Sequence, residues 1–148
     1  MTSPRELPNV PLWVVDTSVW ARVGLNAEVK QALAARAETG LLAMAPPVAL
    51  DVGYSARSAA DWDAVQRAMA GLIVLPMGEQ TYEIARDLQR DLWHNGLVRA
   101  VGCTDLLVAA VAIENNGTVV HYDRDYDFLT RIRPGFKQEW IVPAGQVA

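Results

Sequence analysis

One cysteine, two lysines and two histidines in 148 residues narrow the chemistry before any motif is read. A lone Cys103 cannot form an internal disulfide, which fits a protein of the reducing cytoplasm. One cysteine and two widely separated histidines are too few for an ordinary zinc site. Long apolar stretches are also missing. The longest uninterrupted run, Leu106 to Ile113, is too short to cross a bilayer, so no membrane role is expected. The opening MTSPRELPNVP has no apolar segment of the kind a signal peptide needs. No GxxxxGK[ST] or GxGxxG phosphate loop occurs, and no GxSxG nucleophile elbow. Repeats, low-complexity tracts and dividing linkers are absent, so the chain is expected to form one domain over 1–148 with its core at about 12–142. The net charge of −4 argues against a surface that neutralises many phosphates. That objection weakens if some of the acids hold divalent cations.

What is present is a regular alternation. Short apolar, β-prone runs stand at Leu12–Val15, Leu41–Ala45, Leu72–Leu75, Thr118–Tyr122 and Glu139–Val142. Helical patterns lie between them: Ala27–Ala37, Pro46 to about Ser58, a helix capped by Asp61 that runs to about Ala70, Glu79–His94, a very apolar segment opened by Thr104-Asp105, and about Tyr126–Arg131. Strands alternating with helices predict an α/β three-layer sandwich, with a central parallel sheet flanked by helices. Ligands of such sheets bind beyond the carboxyl ends of the strands.

Carboxylates gather where that rule points. Asp16 follows the first strand and Asp123 follows the fourth, while Asp105 opens a helix and Asp51 lies one turn into another. Each has an ordinary use as well. Asp16 suits a helix N-cap, and Asp105 suits the positive end of a helix dipole. Asp125 and Asp127 suit the short helix that follows them, one as cap and one in its first turn. Asp51 stands between Leu50 and Val52, where an isolated charge would be costly to bury unless paired or metal-bound. Taken together, the acids describe an oxygen-only crevice, which suits Mg²⁺ or Mn²⁺. Such ions commonly serve phosphoryl chemistry. His94 closes a long helix, and His121 reads as a core group or a support behind the site. Trp13 and Trp140 read as core, and Trp20 is a candidate to line the crevice or a partner groove.

Four blocks, VVDTSVWARV, LDVGYSAR, TDLLVAAVAI and VVHYDRDYDFL, resemble in order and spacing those of PIN-domain ribonucleases, most closely the VapC toxins of bacterial toxin–antitoxin pairs. The resemblance covers about Leu12 to Val142. It implies a PIN-like sandwich, a Mg²⁺ (or Mn²⁺) pocket and endoribonuclease activity. It assigns Asp16, Asp105 and Asp123 as catalytic metal ligands, Asp51 as a fourth and Asp125 as a weaker neighbour, with Thr17 and Ser18 hydrogen-bonding around the metal. It further implies an RNA substrate, a small cognate antitoxin that lies along a hydrophobic groove, and a homodimer. Arg57 and Arg99 flank the blocks and are candidates for RNA phosphate contact beside their plainer use as solvated surface charge. The family usually carries glutamate where this chain has Asp51, one methylene shorter. Two other readings stay open: a binding module too weak in metal to cleave, and a Mg²⁺ phosphatase with an aspartyl nucleophile. The phosphatase normally needs a second acid two residues on, where Ser18 stands.

Overall fold

A computed structural model describes residues 9–148. The first eight residues of the irregular lead-in, on which the signal-peptide reading falls, lie outside them. Five strands form one parallel sheet in the order β3-β2-β1-β4-β5: β1 Leu12–Val15, β2 Leu41–Met44, β3 Ile73–Val74, β4 Thr118–His121 and β5 Gln138–Trp140. The helices among the described residues are α1 Thr17–Val23, α2 Ala27–Thr39, α3 Pro46–Tyr54, α4 Ala59–Met69, α5 Glu79–His94, α6 Cys103–Glu114 and α7 Asp125–Ile132.

The two central strands show why the sheet is covered on both sides. Val14, Val15, Val119 and Val120 are all fully buried. Side chains alternate across a strand, and these alternate between two separate cores. Leu12, Val14 and Val119 belong to the core that includes Leu88 of α5, Val108–Ala112 of α6 and Leu129 of α7. Val15 and Val120 belong to the other, with Val19 of α1 and Val29 and Leu33 of α2. The sheet therefore has helices against each face, as the sequence pattern predicts.

Differences from the sequence reading are local. Helix α1 has no bounds in the sequence pattern, although Asp16 suits an N-cap, because Asp16-Thr17-Ser18 reads as a turn as readily as a helix start. The helix from Pro46 stops at Tyr54 rather than near Ser58, since Ser58 is itself an N-cap. Its Oγ accepts the backbone N–H of Asp61 at 3.0 Å, and the Asp61 carboxylate accepts that of Arg57 at 2.9 Å. Ser58, not Asp61, caps α4, and Asp61 in the first turn reaches back to the residue before the cap. Strand β4 ends at His121, so Asp123 is the second residue beyond it rather than the first.

One glycine controls the β1–β2 entry. A Cβ on Gly40 would lie 2.2 Å from the carbonyl oxygen of Pro11, which accepts the Leu41 N–H at 2.9 Å and starts the strand register. Backbone cannot yield there without breaking that bond. Gly40→Ala should therefore lower stability by about 3 kcal/mol, read as a shift in the urea midpoint. An unchanged midpoint would mean that the Pro11 segment can move aside freely.

Strand order places the site. From β1 the chain moves outward to β2 and β3, and later returns to lay β4 on β1's other side. The carboxyl ends of β1 and β4 flank that switch point, where α/β sheets open a crevice. The Asp16 N–H donates to Val120 O at 2.9 Å and ties the two ends together.

Candidate metal centre

Asp16 is the only buried carboxylate among the described residues, at 3% exposure. It ends β1 and caps α1, its Oδ2 accepting from Ser18 N at 3.1 Å. The Ser18 hydroxyl donates to the same Oδ2 at 2.6 Å and accepts the Tyr122 N–H at 2.9 Å. The ordinary role and the site role therefore coincide in one side chain. Thr17 faces elsewhere: its hydroxyl donates to Asp51 Oδ2 at 2.9 Å, which connects α1 to α3.

Asp105 comes from the first turn of α6, a helix so apolar that Leu106 and Val108–Ala112 are buried. Its rigid burial delivers the carboxylate to the crevice. Asp123 hangs on the loop after β4. Its backbone N–H donates to His121 Nδ1 at 3.1 Å, and its Oδ1 accepts the Asp125 N–H at 2.9 Å. Asp123 therefore supplies the carboxylate at the start of α7. Asp125 and Asp127 both sit in that helix's first turn, and neither caps it. This corrects the expectation of one cap and one first-turn acid. The Asp127 carboxylate turns to β5, accepting from Gln138 Nε2 at 3.1 Å and Trp140 Nε1 at 3.3 Å.

Oxygen atoms of Asp105, Asp123 and Asp125 lie within 4.8 Å of one another, all half-buried. Burial, then the charges of Asp16, Asp123 and Asp125, push the Asp105 carboxyl up to about 7. Burial and then Asp123 raise Asp125 as well. Like charges held at such range resist joint ionisation. A divalent cation relieves that repulsion, and an oxygen-only donor set suits Mg²⁺ or Mn²⁺. The residues fit the ion. Asp51 stands apart from this trio on α3, exposed and bonded to Thr17.

Two residues behind the acids carry more than the sequence suggested. His121 is fully buried. Because its Nδ1 accepts from Asp123, its proton lies on Nε2, which donates to Gln138 Oε1 at 2.5 Å. Burial lowers its pKa, so it stays neutral and holds the Asp123 loop. Tyr126 is also fully buried, and its hydroxyl donates to Asp16 Oδ1 at 2.8 Å while lying 3.3 Å from Asp105 Oδ1. Burial and then the Asp16 and Asp105 charges raise its pKa well above the usual tyrosine range, which keeps the proton on. Sequence reasoning passed over Tyr126. The available signal was a tyrosine, rather than phenylalanine, at an inward helix position beside three acids.

The remaining candidates lie outside this cluster. Arg57 and Arg99 are exposed, and neither forms an ion pair among the described residues. Arg99 has a left-handed backbone, with φ of 60°. His94 is exposed at the end of α5. Trp20 is half-buried and packs against both cores rather than standing free at the rim. Trp13 and Trp140 are half-buried against the sheet.

Comparison with known proteins adds three findings. A family model described as PIN domain matches residues 13–132. Among curated proteins, the chain is 39% identical over 137 residues to ribonuclease VapC18 of Mycobacterium tuberculosis, covering 90% of this chain and 98% of that protein. It is 33% identical to ribonuclease VapC51 of the same organism, covering 91% and 96%. Among solved structures, VapBC2 from Rickettsia felis, bound to a promoter DNA fragment, superposes with a TM-score of 0.71 at 19% identity, covering 86% of this chain and 97% of that one. VapBC-1 from nontypeable Haemophilus influenzae superposes with a TM-score of 0.73 at 16% identity, covering 88% and 98%. At such identities the structural likeness speaks for the fold.

Proposed function

The chain belongs to the PIN-domain family, in its VapC branch, and on that premise we propose that it is a Mg²⁺- or Mn²⁺-dependent endoribonuclease, the toxin of a toxin–antitoxin pair. The observation that carries the reading is the meeting of Asp105, Asp123 and Asp125 within 4.8 Å at the carboxyl end of a parallel sheet, with buried Asp16 joined to Asp105 through the Tyr126 hydroxyl. When bound, the ion supplies an acidified water and neutralises charge on a phosphodiester. The chain's residues do the rest. Asp105, Asp123 and Asp125 hold the ion, and Asp16 adds the one lone pair its hydrogen bonds leave over. Ser18 fixes the Asp16 carboxylate and His121 fixes the Asp123 loop. Arg57 and Arg99 are proposed RNA phosphate contacts.

Asp51 is proposed as an outer fourth acid, held by Thr17. Aspartate falls about 1.3 Å short of the reach of glutamate, and Mg²⁺ tolerates little error around its near-ideal distance of about 2.1 Å. Asp51→Glu should therefore lower the Mg²⁺ concentration for half-maximal cleavage. Asp51→Asn should raise it, by less than Asp105→Asn does. A higher Mg²⁺ requirement in Asp51→Glu would mean that the pocket is built around the shorter side chain.

The proposed partner is a small antitoxin. It would lie along the cleft between α3 and α4, of about 590 Å³, lined by Leu50, Tyr54 and Trp62 together with Asp51. A homodimer in the cytoplasm completes the proposal. Among the described residues, no helix is long and apolar enough to cross a membrane.

The test is cleavage by antitoxin-free protein of a structured RNA and of a small phosphate ester. RNA cut only with Mg²⁺ or Mn²⁺ supports the reading. Hydrolysis of the ester alone favours the phosphatase, and metal binding with no hydrolysis favours the inert binding module. The phosphatase reading is disfavoured by Ser18, which stands where that chemistry needs a second acid and whose hydroxyl donates to Asp16.

A further inference from the structure

We propose that Tyr126 is a positioning residue of the acidic pocket, its hydroxyl fixing the orientation in which Asp16 and Asp105 meet a divalent cation. The inference rests on the metal-binding reading above and goes beyond the acids themselves.

The ring of Tyr126 is completely buried, 4.7 Å from the His121 ring between centroids. A side chain so enclosed has one position, and its hydroxyl is a fixed point at the floor of the pocket. Packing alone would be served by phenylalanine. A buried hydroxyl without a partner is destabilising, and this one meets only carboxylates: Asp16 Oδ1 at 2.8 Å and Asp105 Oδ1 at 3.3 Å. Those acids come from the end of β1 and from α6, while α7, which carries Tyr126, also carries Asp125 and begins two residues after Asp123. One hydroxyl thus links the separate segments that deliver the acids.

Lone pairs give the link its consequence. A carboxylate offers about four acceptor sites. Asp16 uses two on Oδ2 for the Ser18 N–H and hydroxyl, and one on Oδ1 for Tyr126. Tyr126 therefore decides which site of Asp16 remains for a cation. Hydrogen bonds that orient metal ligands in this way are commonly worth about 10- to 100-fold in metal affinity.

Mn²⁺ binding to Tyr126→Phe, followed in the absence of RNA by the resonance of free Mn²⁺, tests this. The phenyl ring keeps the packing. The expected result is an affinity at least about tenfold weaker than wild type in a protein whose circular dichroism is unchanged. A residue that only filled space would alter the melting temperature and leave the affinity alone, so wild-type Mn²⁺ affinity in Tyr126→Phe overturns the inference. A second measurement covers a variant that fails to fold. In wild-type protein with ¹³Cζ-labelled tyrosine, the Tyr126 resonance should move on Mg²⁺ addition and saturate with the site. A resonance indifferent to saturating Mg²⁺ overturns the inference by itself. If wild type binds neither ion, the metal reading falls with it. If wild type binds and Tyr126→Phe binds equally well, only the role of Tyr126 falls.

Discussion

Asp105→Asn is expected to reduce RNA cleavage by roughly a hundredfold or more, and yet to make the metal-free protein more stable at pH 8. Both effects follow from one crowded carboxyl. Burial and its acidic neighbours push Asp105 up to about 7, against an ordinary value of 3.8. Between about pH 4 and pH 7 the folded chain therefore keeps a proton that the unfolded chain has released. Stability must then fall as pH rises through that window. Above it, Asp105 is ionised beside Asp16, Asp123 and Asp125, and the repulsion is fully present. Asparagine cannot ionise. In EDTA the variant should lose this part of the pH dependence and melt about 3 °C or more above wild type at pH 8. Saturating Mg²⁺ should stabilise wild type and leave the variant nearly unchanged. A variant that unfolds, or that melts lower than wild type at every pH, would assign Asp105 a structural role instead.

The second large effect lies on the proposed antitoxin face. Leu50 is 75% exposed and Tyr54 is 92% exposed, and both line the cleft that also includes Asp51. Neither contributes to the core, so charge can be placed there without unfolding the chain. Leu50→Glu with Tyr54→Glu should weaken antitoxin binding by about a thousandfold, at roughly 2 kcal/mol for each lost anchor. RNA cleavage by the free protein should stay within about twofold, since both residues are outside the acid cluster. The cognate antitoxin would then fail to relieve toxicity on co-expression. Unchanged affinity would move the partner surface elsewhere, and a matching loss of cleavage would mean that the same cleft carries RNA.

The legibility of this chain in its sequence divides along the range of the interactions involved. LWVV and TVVH read as buried strands because their apolar character is local, and the sheet buries both as expected. The places of Asp16, Asp105 and Asp123 followed from strand ends and one helix start. Partners far apart in sequence did not show. Asp127 reads as a helix residue, but its acceptors are used by Gln138 and Trp140 from β5. Thr17 reads as a companion of Asp16, but it bonds Asp51. Tyr126 reads as core, which it is. Only the fold reveals that its hydroxyl reaches a carboxylate 110 positions earlier. Asp125 reads as a first-turn helix acid because that position has a ready alternative use, and its short distance from Asp123 and Asp105 exists only once the turn between them is folded.

The central claim is that these acids hold a divalent cation. The most direct measurement is calorimetric titration of Mn²⁺ into antitoxin-free protein at pH 6, repeated in two buffers of different ionisation enthalpy. The account predicts saturable binding that releases close to one proton, because the Asp105 carboxyl, held up to about 7, must ionise to ligate. Asp105→Asn should lose both the binding and the proton. Absence of Mn²⁺ binding in wild type, together with RNA cleavage that persists in EDTA and disappears on substitution of His94 or His121, would contradict it.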